Sequence, residues 1–135
     1  MSVFEWPVRV YYEDTDAGGV VYYANYLRYL ERARTEWLRQ LGFEQDSLMR
    51  DVGIVFAVRR VEIDYLLPAR FDDALTVDAA VETVSKVALT FRQAIRRAPD
   101  RLLSRALVQI VCLDRSSFRP TAIPAEIREK MYAQQ

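Results

Sequence analysis

The chain of 135 residues contains no histidine, the side chain that most often moves protons near neutral pH. Acid–base or nucleophilic chemistry must therefore use a carboxylate, lysine, tyrosine, serine, threonine or the one thiol, Cys112. A single cysteine cannot form an internal disulfide, and without histidine it cannot complete a zinc site. These absences predict a metal-free protein of a reducing compartment.

Other features are missing as well. No apolar run approaches the length of a membrane-spanning helix, and the first residues lack a signal-peptide pattern. Nineteen basic and nineteen acidic residues cancel to a formal net charge of zero, so no global field attracts nucleic acid or an anionic membrane. Repeats and flexible linkers are absent too. We therefore predict a single domain over residues 1–135 that is cytoplasmic, with no membrane segment and no nucleic-acid partner.

Hydrophobic periodicity in the first half predicts one strand and one long helix. Alternation at Val8, Val10 and Tyr12 predicts a first strand that leads into an acidic loop. From residue 26 onwards, apolar residues recur at helical spacing. Gly42 follows the last of them, as in a left-handed C-terminal cap.

The second half predicts a largely antiparallel sheet, which makes the fold α+β. The alternating segments are residues 61–65, 75–82, 87–92 and 102–113. Short connections join these segments, and the last of them should be buried on both faces. Short helices are expected near residues 46–50 and 125–132. Because one long helix covers only part of such a sheet, a partner subunit is also predicted.

The segment YYEDTDAGGVVYYANY, residues 11–26, contains the candidate catalytic group. Asp16 precedes Gly18 and Gly19, which let the backbone pass close to a ligand. The helix that begins near residues 23–25 offers unpaired N–H groups and the positive end of its dipole. A carboxylate beside such donors suits attack on a carbonyl group or activation of water. From the residues alone, Asp14 and Asp16 are more typical of turn formers or helix caps than of catalytic groups.

The segment RVYYEDTDAGGVVYYANYLRYLERARTEWL, residues 9–38, resembles the hotdog-fold acyl-CoA thioesterases. The resemblance is to the group that contains 4-hydroxybenzoyl-CoA thioesterase and the Tol-Pal-associated acyl-CoA thioesterase. The segments EIDYLLPARFDD and FRPTAIP extend it nearly from end to end. It implies a hotdog fold, a long central helix wrapped by a five- to six-stranded sheet. It also implies a homodimer, often a dimer of dimers, with active sites at the subunit boundary.

The resemblance implies hydrolysis of a short-chain, long-chain or aromatic acyl-CoA, with no cofactor because coenzyme A is part of the substrate. By position in the motif, the catalytic aspartate is Asp16, acting as nucleophile or general base. Many Tol-Pal-type relatives have histidine where this chain has Tyr23, whereas the aryl-CoA enzyme has tyrosine there. We predict that the backbone N–H of Tyr23, rather than its phenol, belongs to the oxyanion hole.

Some hotdog thioesterases place their carboxylate on the helix, so Glu31 and Glu36 are reserve candidates. Their simpler interpretation is surface pairing with arginines of the same helix. The arginines in question are Arg28, Arg32 and Arg34.

Coenzyme A carries several phosphates, so a neutral protein that binds it should gather basic side chains locally. Lys86 is the best candidate, because Ser85 and Lys86 lie at a strand connection. The predicted substrate-binding residues are Gly19, Val20, Tyr22, Asn25, Arg59, Arg60, Ser85, Lys86 and Arg119. For each basic residue, a solvated surface role is at least as consistent with the sequence.

Two other functions fit the sequence less well. A non-catalytic acyl-CoA-binding or scaffold hotdog protein, attached to a cell-envelope complex, would not require the intact acidic motif. A hotdog dehydratase is disfavoured because such enzymes rely on a histidine. A thioester hydrolase is therefore the leading hypothesis.

Overall fold

Five strands and three helices follow one another in the computed structural model, which describes residues 2–135. The strands are β1 (Phe4–Arg9), β2 (Ile54–Tyr65), β3 (Ala74–Val84), β4 (Ala88–Arg97) and β5 (Arg101–Asp114). The helices are α1 (Asn25–Gln40), α2 (Gln45–Ser47), which continues as a π-helical turn (Leu48–Val52), and α3 (Ala125–Tyr132). None of the helices within residues 2–135 combines the length and the apolar character needed to cross a membrane.

The five strands form one sheet in the order β1-β3-β4-β5-β2, with antiparallel pairing throughout. Strand β5 is interior, and its apolar residues on both faces are largely buried, as predicted. Strand β2 lies at one edge, and within residues 2–135 only its side that faces β5 is paired. The predicted α+β class and the antiparallel sheet are confirmed.

Helix α1 lies across one face of the sheet because its apolar positions form a continuous stripe. Trp37 of α1 packs edge-on against Phe91 of β4, with ring centroids 4.9 Å apart. Both side chains are buried, and each such burial contributes about 2–3 kcal/mol to folding. Gly42, at a φ of 101°, ends the helix in the left-handed conformation that its sequence position predicted.

The first strand is shorter than predicted. It ends at Arg9, and Tyr12 lies in a 3-10 turn (Tyr12–Asp14) instead of a strand. The side chains of the acidic loop cause this change, since the Asp14 carboxylate accepts the N–H of Tyr11 at 2.8 Å. The hydroxyl of Thr15 also donates to the carbonyl of Tyr12 at 2.7 Å. Such local side-chain bonds compete with strand pairing.

Candidate active site

Asp16 lies in a tight turn that its own atoms hold together. Its Oδ1 accepts the N–H of Gly18 at 2.8 Å, and its carbonyl accepts the N–H of Gly19 at 3.0 Å. A Cβ on Gly18 would come within 3.2 Å of that Oδ1, and Gly19 has a φ of 81°. The turn therefore requires glycine at position 19 for its φ angle, whereas a side chain at position 18 would crowd the Asp16 carboxylate. The carboxylate keeps its other oxygen available at an exposed position.

The Asp16 turn is anchored to the segment that precedes β3. The N–H of Val21 donates to the carbonyl of Ala69 at 2.9 Å, and Val20 forms a bridge with Arg70. The N–H of Ala69 in turn donates to the hydroxyl of Tyr26 at 2.9 Å. The loop, the first turn of α1 and the 69–73 segment thus form one unit.

The start of α1 presents the free donors that the sequence predicted. The N–H of Tyr22 and the side-chain amide of Asn25 both donate to the carbonyl of Asp14, at 3.0 and 2.9 Å. By contrast, the N–H groups of Tyr23 and Ala24 have no acceptor within residues 2–135. Such unpaired amides at a helix start can stabilise a developing negative charge.

Tyrosine side chains surround this helix start. The Tyr65 ring lies edge-on to the rings of Tyr23 and Tyr26, with centroids 6.1 and 5.3 Å apart. Burial raises the pKa of the Tyr26 hydroxyl, and the charges of Asp73 and Asp16 raise it further.

Tyr65 is a site residue that the sequence did not reveal. Its hydroxyl donates to the carbonyl of Tyr23 at 3.3 Å, although the two residues are 42 positions apart. Burial raises the pKa of Tyr65 as well. The tyrosine lies within the segment EIDYLLPARFDD, but no local pattern connects that segment with the helix start.

The predicted phosphate-binding residues lie far from Asp16 within one chain. Asp16 is tied to the segment before β3, whereas Ser85 and Lys86 follow the other end of that strand. At about 3.3 Å per residue, β3 separates them by about 33 Å. Arg119 lies at the same end of β3 as Lys86, because the segment after β5 passes beside Lys86. There the N–H of Ile123 donates to the carbonyl of Lys86 at 2.9 Å.

The remaining predicted basic residues are in the middle of β2. Arg59 donates to Gln109 at 3.1 Å, and Arg60 forms an ion pair with Glu62. Ser85 is engaged in its own turn, where its hydroxyl accepts the N–H of Ala88.

The two reserve carboxylates on α1 differ. Glu36 forms an ion pair with Arg39 of the same helix. Glu31 is exposed and forms no ion pair within residues 2–135. Arg34, predicted as a surface ion-pair partner, is instead held by Gln93. No cluster of three or more metal-ligating side chains occurs within the described residues.

Comparison with known proteins adds independent findings. A sequence profile described as the thioesterase-like superfamily matches residues 10–131. The chain is 46% identical over 126 residues to the acyl-CoA thioester hydrolase YbgC of Escherichia coli O6:H1, covering 93% of each chain. It is also 46% identical to the acyl-CoA thioesterase YbgC of Haemophilus influenzae, covering 93% of this chain and 91% of that one.

A solved structure supports the fold. It is a mutant of 4-hydroxybenzoyl-CoA thioesterase in complex with 4-hydroxybenzoyl-CoA. Its TM-score to this chain is 0.88 at 23% identity, and the alignment covers 97% of this chain and 99% of the other. The sheet and helices described above therefore have the hotdog arrangement.

Proposed function

Because this chain belongs to the thioesterase-like superfamily, we propose that it hydrolyses acyl-CoA thioesters with Asp16 as the catalytic carboxylate. Two relatives that are 46% identical over most of the chain are named as acyl-CoA thioester hydrolases. The observation that carries the assignment of Asp16 is its position in a turn joined to a helix start with two free N–H groups. A non-catalytic scaffold is not favoured by these relatives.

The chemistry follows from this arrangement. The thioester carbonyl oxygen accepts hydrogen bonds from the N–H groups of Tyr23 and Ala24, where negative charge develops during attack. Asp16 then either attacks the carbonyl carbon or removes a proton from the attacking water. One preorganised donor of this kind contributes about 3–4 kcal/mol to transition-state stabilisation. The leaving group of a thioester is the thiolate of coenzyme A. Because thiols ionise readily, its departure needs no acid catalyst such as histidine, which this chain lacks.

The binding site for coenzyme A requires a second copy of the chain. The edge strand β2 has its Tyr65 end at the Asp16 site and its Ile54 end beside Asp114, close to Arg119. Antiparallel pairing of two β2 strands would place the Ile54 end of one copy beside the Tyr65 end of the other. The Lys86 and Arg119 region of one subunit would then approach the Asp16 of its partner. A homodimer is therefore part of the proposal, as is phosphate contact by Lys86.

The decisive experiment is the substitution Asp16→Asn, assayed by release of free thiol from short, long and aromatic acyl-CoAs. We expect kcat to fall by about 100-fold or more, the usual contribution of a positioned acid or base. Asp100→Asn, at an exposed hairpin position, is the matched control and should keep full activity. Full activity in Asp16→Asn would refute the assignment. Single-turnover hydrolysis in labelled water tests the nucleophilic role, because solvent oxygen enters the protein only if Asp16 forms an acyl anhydride that water opens at the aspartate carboxyl carbon.

A further inference from the structure

An exposed phenylalanine lies in the loop that follows β5. We call residues 114–119 the Phe118 loop. The Phe118 side chain is 66% exposed, more than that of Phe71, the other exposed phenylalanine within residues 2–135. A large apolar side chain left in water gives up the stabilisation that burial would provide. The ring therefore does not serve the core of this chain.

The backbone at Phe118 is strained. Its φ is 56°, in the left-handed region that bulky side chains avoid. Among the non-glycine residues of 2–135, only Asp72 also has a positive φ, and aspartate tolerates that conformation better. Strained residues persist only where their surroundings hold them, and they cluster at ligand sites. Strain and exposure together indicate that the ring at this position has a binding role.

Hydrogen bonds within the loop hold this backbone conformation. The N–H of Phe118 donates to the Asp114 carbonyl at 2.8 Å, and the N–H of Asp114 donates to the Arg119 carbonyl at 2.9 Å. The Asp114 carboxylate accepts three further bonds, two from Ser117 and one from Ser116. These bonds lower the pKa of Asp114, so the carboxylate stays charged. The loop therefore presents the ring from a fixed backbone.

Two cations without ion pairs lie near this ring. Arg119 is the next residue, and neither Arg119 nor Lys86 takes part in any ion pair among residues 2–135. Both side chains are exposed. Beside Lys86, the carbonyl of Val87 accepts the N–H of Cys112 at 2.7 Å, two residues before Asp114. At 3.3 Å per residue, the loop therefore begins about 7 Å from that contact.

An aromatic ring beside free cations suits a purine nucleotide. A base stacks on an exposed aromatic ring, while arginine and lysine bind phosphate groups. An inorganic anion would use the cations but not the ring, whereas an apolar partner would use the ring but not the cations. Coenzyme A carries an adenine and several phosphates, so it matches both features.

We propose that the adenine of coenzyme A stacks on Phe118 and that this contact makes the protein select CoA thioesters over thioesters of shorter thiols. The inference rests on the proposed thioesterase function and on its homodimer. The Phe118 loop borders the Ile54 end of β2, where the N–H of Arg115 donates to the Gly53 carbonyl at 3.0 Å. Antiparallel pairing of two β2 strands would place that end beside the Asp16 site of the partner.

The length of coenzyme A suits this position. Its pantetheine arm has about the backbone length of four extended residues, about 14 Å. The diphosphate and the ribose move the adenine still further from the thioester. The base therefore binds at the rim of the shared cleft, beyond the reach of the acyl group.

The test compares two thioesters of the same acyl group, one on coenzyme A and one on 4′-phosphopantetheine, which lacks the adenosine. Because the acyl group is shared, the ratio of the two kcat/KM values reports recognition of the nucleotide. The wild type should favour the CoA thioester by about 10-fold or more. Phe118→Asn removes the ring and should lower this ratio by about 5-fold or more, the value of one stacked base. Phe118→Trp keeps an aromatic ring and should retain the preference.

Stability provides a second readout. Asparagine adopts a φ of 56° more readily than phenylalanine, so Phe118→Asn should not lower the free energy of unfolding. Loss of the CoA preference without loss of stability is a result that a merely structural role would not give. Tyr132→Asn removes an exposed ring from α3. It is the control and should leave the ratio unchanged.

A wild-type ratio near unity, an unchanged ratio in Phe118→Asn, or an equal loss in Tyr132→Asn would each overturn the inference. A second copy of the chain could cover the ring instead of a nucleotide. In that case Phe118→Asn would lower the molar mass measured by light scattering and leave the ratio unchanged, which also overturns the inference.

Calorimetric titration with adenosine 3′,5′-bisphosphate separates this inference from the proposed function, because the bisphosphate has no thioester. Its Kd should rise by about 5-fold or more in Phe118→Asn. If the bisphosphate binds in this way but no acyl-CoA is hydrolysed, the proposed function fails while the nucleotide site stands. If acyl-CoAs are hydrolysed in an Asp16-dependent way but neither the Kd nor the ratio depends on Phe118, only this inference fails.

Discussion

The hydroxyl of Tyr65 donates a hydrogen bond to the carbonyl oxygen of Tyr23 at 3.3 Å. This contact joins the end of edge strand β2 to the residues that directly precede α1. The Tyr23 carbonyl belongs to the peptide group that carries the N–H of Ala24. Tyr65 thus orients one of the two proposed oxyanion donors through its peptide plane, which makes it a positioning residue.

Tyr65→Phe should therefore lower kcat by about 3- to 10-fold, the value of one ordinary hydrogen bond. The KM should change less, because the ring and its packing against Tyr26 remain. Steady-state kinetics with one acyl-CoA measures both constants. Tyr132→Phe, exposed on α3, is the control. An equal loss in both variants, or a change confined to KM, would contradict the positioning role.

Tyr26 and Tyr29 are buried neighbours on α1 with opposite hydrogen-bond states. The Tyr26 hydroxyl accepts the N–H of Ala69 at 2.9 Å, whereas the Tyr29 hydroxyl has no partner within residues 2–135. Tyr26→Phe should reduce the free energy of unfolding by about 1–3 kcal/mol, because it leaves a buried N–H unpaired. Tyr29→Phe should change it by less than about 1 kcal/mol, since the lost hydroxyl had no bond.

Urea unfolding of the two single variants measures this difference directly, and each serves as the control for the other. Because the Ala69 bond also fixes the segment beside the Asp16 turn, Tyr26→Phe should reduce activity as well. Equal losses of stability in the two variants would show that ring packing, not the Ala69 bond, decides the stability.

The sequence predicted the parts of this fold that depend on local pattern. The period of apolar residues identified α1, and Gly42 identified its end, because both effects act within a few residues. The end of β1 was predicted wrongly, since the bond between the Asp14 carboxylate and the N–H of Tyr11 is a side-chain effect that periodicity does not report. The segment 11–26 likewise identified the Asp16 turn.

What the sequence could not predict is which distant residues meet at the site. Tyr65 contacts Tyr23 because β2, which pairs with β5, ends beside the start of α1. Arg34 has the spacing of a surface residue. Its guanidinium nevertheless donates to Gln93 of β4 and lines a cavity between α1 and the sheet. Both contacts are tertiary, so no window of the chain contains them. The roles of Asp16, Tyr23 and the basic residues stay predictions.

The edge strand β2 should mediate dimerisation. The outer edge of this 12-residue strand pairs with no other strand of the described chain, so it is an open template for another strand. Val58 within it is 51% exposed. Val58→Glu should lower the molar mass measured by light scattering towards that of a monomer, because it places a charge at the pairing edge. Val3→Glu, a similarly exposed valine outside β2, is the control. A wild-type protein that is monomeric at all concentrations would contradict the shared active site.

Cys112 should make the stability of the protein depend on pH in the alkaline range. Its thiol is fully buried, and burial raises its pKa from 9.0 to about 11. The folded state therefore holds the thiol proton more tightly than the unfolded state. The resulting stabilisation is complete below pH 9 and is lost progressively as the pH rises towards 11.

Chemical unfolding of the wild-type protein and of Cys112→Val between pH 8 and about pH 10.5 tests whether stability falls as the pH rises. The loss of stability with pH should be smaller in Cys112→Val, since valine fills the site without an ionisable group. Common contributions from tyrosines and lysines cancel in the comparison. In parallel, a thiol reagent at pH 8 should label Cys112 only after denaturant is added, because the reactive thiolate requires opening of β5. Parallel pH profiles in the two proteins, or rapid labelling of the folded state, would show that the thiol ionises without unfolding.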